Sequence, residues 1–149
     1  MISQVIVLAA LILPQASAAT PPQAATNDPP GFLLWPGGVP PGGLHEKDSF
    51  GNHTVSISHR NKDGLAEVHD KLVDVMIIQS GEATLVVGGK SVEPKITGPG
   101  ETQGKSIQGG ITRKVHPGDV IRIPAKTPHQ FFVPQGGQIT YVLIKIAAS

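Results

Sequence analysis

The sequence predicts an all-β domain of sandwich or barrel form, and three observations predict it. Short stretches rich in β-branched or aromatic residues recur along it: HTVSISHR, LVDVMIIQ, ATLVV, ITRKV, VIRIP, QFFV and ITYVLIKI. Turn chemistry stands between them, at Ser80-Gly81, Gly88-Gly89, Gly109-Gly110, Pro117-Gly118 and Gly136-Gly137, where the chain must reverse. No segment after residue 45 carries a sustained helical period. With 18 Gly and 14 Pro among 149 residues, composition also favours turns over long helices. Short strands with regular turns imply two sheets or a closed one, and about 100 residues can bury a workable core in that form.

The elements follow in order. MISQVIVLAALILPQASAAT opens with an apolar run over residues 5–13, then Pro14 and the small residues Ala16-Ser17-Ala18-Ala19. The run is shorter than the ~20 apolar residues a membrane-crossing helix needs. It fits the core of an export signal, residues 1–19, cleaved after Ala18 or one residue later. Secretion or periplasmic delivery is therefore expected, although residues 1–4 lack Lys and Arg. Residues 20–47 are a Pro/Gly-rich linker or N-terminal strap, because Pro removes backbone donors and blocks helix. Its apolar cluster Phe32-Leu33-Leu34-Trp35 is expected to pack as a strap on the folded domain, residues 48–149.

Inside the domain, HTVSISHR alternates, with His53, Val55, Ile57 and His59 on one face and Thr54, Ser56 and Ser58 on the other. AEVHDKLVDVMIIQSGEATLVVGG reads as a strand, a turn and a second strand, a hairpin bearing acids and a histidine. The Gly-rich, polar stretch from Gly88 to Gly110 reads as a flap or extended hairpin near the barrel mouth, where such loops govern access. Its Gly98-Pro99-Gly100 lacks the strand-to-helix setting of a phosphate loop.

Composition excludes several functions. The charge is nearly balanced, 12 basic against 11 acidic residues for a net +1, which offers no basic footprint for nucleic acid. The absence of Cys removes disulfides, thiolate metal sites and a cysteine nucleophile. Once the signal is cleaved, no membrane association is expected.

Chemistry concentrates in two places. Glu67 and His69 are two residues apart and project from one face of a strand. Asp74 stands in the apolar LVDVMII, and an acid on a strand entering a core wants a partner. In GDVIRIPAKTPHQFFV, a strand ends at Pro124, a tight turn follows and His129 opens the next strand. Two His with carboxylates, delivered from separate strands, suit a divalent first-row metal: Fe, Mn, Zn, Ni or Cu. Each residue also has a plainer reading. His129 could cap a strand edge, Glu67 could be a solvated acid, and His53 and His59 could line the barrel or its polar edge. His45 and His116 read as surface. Met76, Ile78, Phe131 and Tyr141 read as barrel lining, with Met76, Phe131 and Tyr141 as substrate-pocket walls.

These two segments resemble the motifs of the cupins. The first cupin motif, G-x5-H-x-H-x3,4-E-x6-G, aligns on Gly81, placing Asp74 at its Glu, His69 at its second His and Glu67 at its first; Asn61 stands where its leading Gly belongs. The second, G-x5-P-x-G-x2-H-x3-N, aligns on Gly118, Pro124 and His129, with Lys126 for its second Gly and Val133 for its Asn. The chain also resembles small, often exported single-domain cupins in GNHTVSISHR, AEVH, GEATLVVGG, GPGE and IPAKTPHQFFV. The resemblance implies an RmlC-like jelly-roll barrel (the double-stranded β-helix) and a metal held by Glu67, His69, Asp74 and His129. Glu67 in place of His makes such a site harder, favouring Fe(II) or Mn(II) over Cu(I). Asp74, one methylene shorter than Glu, either reaches the metal or orients a ligand through a hydrogen bond. A second register, with Lys71 at the second His position, would instead imply a metal-free pocket.

Two functions fit this reading. One is an exported metal enzyme acting on a small organic molecule by oxidative or isomerase chemistry; the other is the same barrel as a non-catalytic module binding a small molecule or metal. Cupin barrels commonly pair through their sheets, which implies a homodimer to which residues 32–35 would contribute.

Overall fold

The computed structural model describes residues 29–38 and 47–149; the export signal and most of the linker lie outside the described residues. Residues 1–32 and 33–149 form separate units. In the first, the described part is a turn in which the Phe32 N–H donates to the Pro29 carbonyl, 3.0 Å away.

Among the described residues of the second unit a short 3-10 turn, Pro36–Gly38, precedes thirteen strands. They are β1 (Lys47–Ser49), β2 (His53–Arg60), β3 (Ala66–His69), β4 (Leu72–Gly81) and β5 (Ala83–Val87). Next come β6 (Lys90–Val92), β7 (Lys95–Gly98), β8 (Glu101–Gly104) and β9 (Ser106–Gln108). The last are β10 (Ile111–Val115), β11 (Val120–Ile123), β12 (His129–Phe132) and β13 (Ile139–Ala147). A five-stranded sheet runs β1-β2-β13-β4-β11 and a six-stranded sheet β10-β5-β12-β3-β8-β7, while β6 and β9 pair by themselves. Every pairing is antiparallel. Among the described residues the all-β expectation holds, in the two-sheet jelly-roll form.

The core lies where the inward faces of both sheets meet. Met76 and Ile78 of β4, Ile123 of β11, and Ile139 and Tyr141 of β13 come from one sheet. Ala83 and Leu85 of β5, Val115 of β10 and Phe131 of β12 come from the other. Phe131 and Tyr141 stack with ring centroids 5.3 Å apart. Each large apolar side chain fully buried here contributes about 1.5–3 kcal/mol. Strand alternation sets which residues join this core. In β2, Thr54, Ser56 and Ser58 stand opposite Lys145, Leu143 and Tyr141 and so share the inward face. His53, Val55, Ile57 and His59 face the other way, so neither histidine lines the barrel. Instead His59 Nδ1 bonds to Thr140 Oγ1 at 2.9 Å, and His53 stacks on Phe50.

One sequence expectation needs correction, and one alternative is decided. The stretch over residues 66–89 is not a hairpin: β3 and β5 belong to the six-stranded sheet and β4 to the five-stranded one, so the chain crosses between sheets twice. Gly81, expected in a hairpin turn, makes the second crossing at φ 74°. A Cβ there would lie 1.9 Å from the Gln138 carbonyl oxygen, so only Gly allows the two backbones to approach this closely. The stretch from Gly88 to Gly110 is an extended hairpin but not a free flap. β6 pairs with β9, β7 with β8, and β8 with the whole of β3.

The apolar cluster of the expected strap does not pack as a unit, since Phe32 and Leu34 are exposed; further along, the Gly38 carbonyl accepts a hydrogen bond from Gln79 Nε2 of β4 at 3.1 Å. Strand pairing begins at Lys47, within the range read as linker.

Candidate metal centre

Three cross-strand pairs build the site. In the six-stranded sheet, His129 of β12 stands opposite Glu67 of β3, and Glu101 of β8 stands opposite His69 of β3. In the five-stranded sheet, Lys145 of β13 stands opposite Asp74 of β4. Directly opposed residues point to the same face, and these faces meet at one end of the barrel interior. The four residues singled out by sequence, Glu67, His69, Asp74 and His129, are thus brought together from three strands. The crossing at Asp70-Lys71 is what lets Asp74 face His69 from the opposite sheet.

The two imidazoles present their Nε2 atoms inward. His129 is buried and its Nδ1 lies 3.1 Å from the Thr127 carbonyl oxygen. A carbonyl can only accept, so the proton sits on Nδ1 and the neutral ring carries its lone pair on Nε2. That Nε2 has no hydrogen-bond partner among the described residues; it lies 3.5 Å from Asp74 Oδ2 and 3.9 Å from Glu67 Oε2. Burial pushes the His129 pKa below its ordinary value, and the Thr127 bond and the charges of Asp74 and Glu67 only partly oppose this. An orphaned, buried, lone-pair nitrogen facing carboxylates is what a metal ligand looks like before it is used.

His69 is held in the same sense by a different partner. Its Nδ1 lies 2.5 Å from Glu101 Oε2, the carboxylate–histidine arrangement that orients metal-bound imidazoles. Its Nε2 faces Asp74 Oδ2 at 3.3 Å and the Lys145 ammonium at 2.8 Å. Burial alone would lower the His69 pKa, and Lys145 pushes the same way. The close approach and charge of Asp74, with the hydrogen bond to Glu101, outweigh both and leave it raised.

Asp74 is only 2% exposed. Burial would raise its pKa, but the close approach of His69 and the hydrogen bond and charge of Lys145 hold it below the ordinary carboxylate range. Its Oδ1 accepts from Lys145 Nζ at 2.9 Å.

Glu67 is half-buried and divides its carboxylate, with Oε1 3.7 Å from Arg60 Nη2 and Oε2 toward His129. Arg60 Nε in turn donates to the Tyr141 hydroxyl at 2.9 Å, so Glu67 is steered by a side chain anchored in the core. Glu67, His69 and His129 each offer a ligand atom, all within 4.8 Å of one another. They fit a divalent ion: two imidazole nitrogen donors and one carboxylate, with positions left open.

Glu101 and Lys145 were not singled out by sequence. A signal for Lys145 existed, because it interrupts ITYVLIKI as Asp74 interrupts LVDVMII, but only the register pairs the two. Glu101, in GPGE, carried no chemical signal of its own. Met76, Phe131 and Tyr141, expected as pocket walls, are packed in the core at 2%, 2% and 1% exposure. A cleft of about 360 Å³ opens elsewhere, lined by Leu65, Glu93, Lys95, Thr97, Gln103 and Lys105. It adjoins the site's strands, since Gln103 stands opposite Glu67.

The second motif's departure at Lys126 also has a structural meaning. Lys126 adopts φ 64° and donates its N–H to the His69 carbonyl at 2.7 Å. The position demands the left-handed backbone that Gly takes freely.

No family model matches the sequence, and no curated protein does. Solved structures do. A hydroquinone 1,2-dioxygenase from Sphingomonas sp. TTNP3 is similar over 68% of this chain and 63% of its own, at 8% identity and a TM-score of 0.51. A cupin protein from Bacteroides fragilis matches over 67% and 70%, at 17% identity and a TM-score of 0.43. A cupin-like protein from Thermotoga maritima matches over 64% and 57%, at 15% identity and a TM-score of 0.45. This chain therefore spans less than two thirds of the dioxygenase and of the Thermotoga protein. Identities this low speak to architecture alone: with its two-sheet barrel, the chain has the cupin fold.

Proposed function

We propose that this chain is an exported cupin that binds a divalent metal through Glu67, His69 and His129 and acts on a small organic molecule. One observation carries the reading: two buried imidazoles have their Nδ1 atoms engaged by Thr127 and Glu101, and both aim Nε2 at acidic oxygens. When bound, a divalent ion would supply Lewis acidity and, if redox-active, oxidative chemistry. The protein's own groups do the rest. Glu101 and Thr127 hold the imidazoles in one tautomer, the Tyr141–Arg60 pair steers Glu67, and the packed core behind excludes water. Asp74 offers a buried carboxylate that can orient a metal-bound ligand through a hydrogen bond. The dioxygenase of the same fold is named for oxidation of hydroquinone and holds 4-hydroxybenzoate, which supports a small-molecule substrate.

Elemental analysis after growth with Fe, Mn, Zn, Ni and Cu tests the reading, using wild type beside His69→Ala and His129→Ala. Near-stoichiometric metal in the wild type, lost from both variants, is the expected result. A metal-free wild type would sink it. A non-catalytic binding module is the second reading, favoured by Lys145, whose charge already balances Asp74. A metal-loaded protein that binds small molecules without converting them, followed by NMR, would select it.

Export and self-association belong to the same proposal. Sequencing the mature N-terminus after fractionation tests cleavage after Ala18 or Ala19. Light scattering tests a homodimer, for which the exposed Ile77 and its cross-strand neighbour Val120 on the five-stranded sheet supply apolar surface.

A further inference from the structure

We infer that Lys145 is a built-in counter-cation of this site, competing with a divalent ion for Asp74 and His69. The inference rests on the metal reading proposed above and concerns what that site holds when no metal is bound.

Lys145 reaches the site by strand parity. In β13, Tyr141 and Leu143 face Ile78 and Met76, and Lys145, two residues on, faces Asp74. Its Nζ lies 2.9 Å from Asp74 Oδ1 and 2.8 Å from His69 Nε2. An ammonium has three N–H donors and no lone pair, so it cannot be a metal ligand. It can only consume acceptors, and here it consumes the one lone pair through which His69 would bind a metal. A nitrogen lone pair serves one partner at a time. His69 Nε2 therefore holds either the lysine or the ion.

The other neighbours behave differently. Glu101 and Thr127 touch only Nδ1 atoms, which leaves the metal-facing nitrogens free. Lys145 alone, among the described residues, places a positive charge within hydrogen-bond distance of Nε2. It also has a way out. A quarter of its side chain is exposed while Asp74 is sealed, and the flexible four-carbon stem can carry the charge to solvent. Lys145 thus offsets the charge of Asp74, and metal uptake includes the cost of releasing Lys145.

The test compares wild type with Lys145→Met, which keeps the stem and removes the charge, and with Lys145→Gln. Dissociation constants for Zn(II) and Mn(II) are read by competition with a chromogenic chelator. Independently, reductive methylation of Lys145 in the wild type is followed by mass spectrometry with and without Zn(II). Ion binding about ten- to a hundredfold tighter in the variants, with faster Lys145 methylation on Zn(II) loading, is the expected result. Equal or weaker binding in the variants overturns the inference but leaves the metal reading intact. Absence of binding in every protein overturns both. Should neither variant fold, methylation decides, and a rate unchanged by saturating Zn(II) rules the competition out.

Discussion

Single atoms decide most of what this site can do. Glu101 is 32 residues from His69 in sequence, yet its Oε2 lies 2.5 Å from the His69 Nδ1. Glu101→Gln keeps the shape but weakens the acceptor, so metal affinity is expected to fall about ten- to a hundredfold with the fold intact by circular dichroism. Asp74 governs acid stability. Its folded pKa is lowered, so the metal-free protein binds fewer protons there than the unfolded chain does. That contribution is complete above the unfolded carboxylate value of about 4. It is lost as pH falls through the lower folded pKa. Asp74→Asn should flatten the pH dependence of denaturant midpoints in that acid window. At neutral pH it should cost about 3 kcal/mol, because Lys145 loses its buried partner. An unchanged acid limb would remove Asp74 from this role. At this scale the sequence was partly legible. Glu67, His69, Asp74 and His129 stood out because acids and histidines on apolar strands are chemically conspicuous. Glu101 did not, because nothing local distinguishes an acid after a Pro-Gly turn from a solvated one.

Corners and turns are where the elements earn their placement. Gly81 carries the chain from one sheet to the other, at φ 74° and against the Gln138 carbonyl. Gly81→Ala must shift that backbone as well as strain its own, so a loss of about 3 kcal/mol is expected in chemical denaturation. A loss below about 1 kcal/mol would show that the corner can relax. Lys126 is the opposite case, a side-chain-bearing residue in left-handed backbone. Lys126→Gly should stabilise the protein by up to about 1 kcal/mol, read as a higher melting temperature. The seven expected strands all form because alternation and β-branching are local signals. The pairing of β3, β4 and β5 was misread because adjacency in sequence suggests a hairpin. Burial of Met76 and Ile78 of β4 against Ala83 and Leu85 of β5 sends these strands to different layers.

The whole molecule couples the two sheets through the site, since β3, β8 and β12 supply one half and β4 and β13 the other. An ion bridging His69 and His129 on the strength of native geometry binds the folded state alone. At a hundredfold excess over its Kd it should add about 2.7 kcal/mol, some 10 °C in melting temperature. His129→Ala should abolish that shift while folding normally, and a shift that persists would place the ion elsewhere.

The sequence by itself determined the all-β class, the strands and the four chemically conspicuous residues, because strand alternation, turn composition and ionisable groups in apolar stretches are properties of neighbouring residues. Tertiary structure decided the rest. Register set Glu101 against His69 and Lys145 against Asp74, and sheet membership brought the two pairs together. It also buried Met76, Phe131 and Tyr141 as core. Those outcomes depend on which strands lie side by side, and that is settled by burial summed over both sheets, which no local window contains.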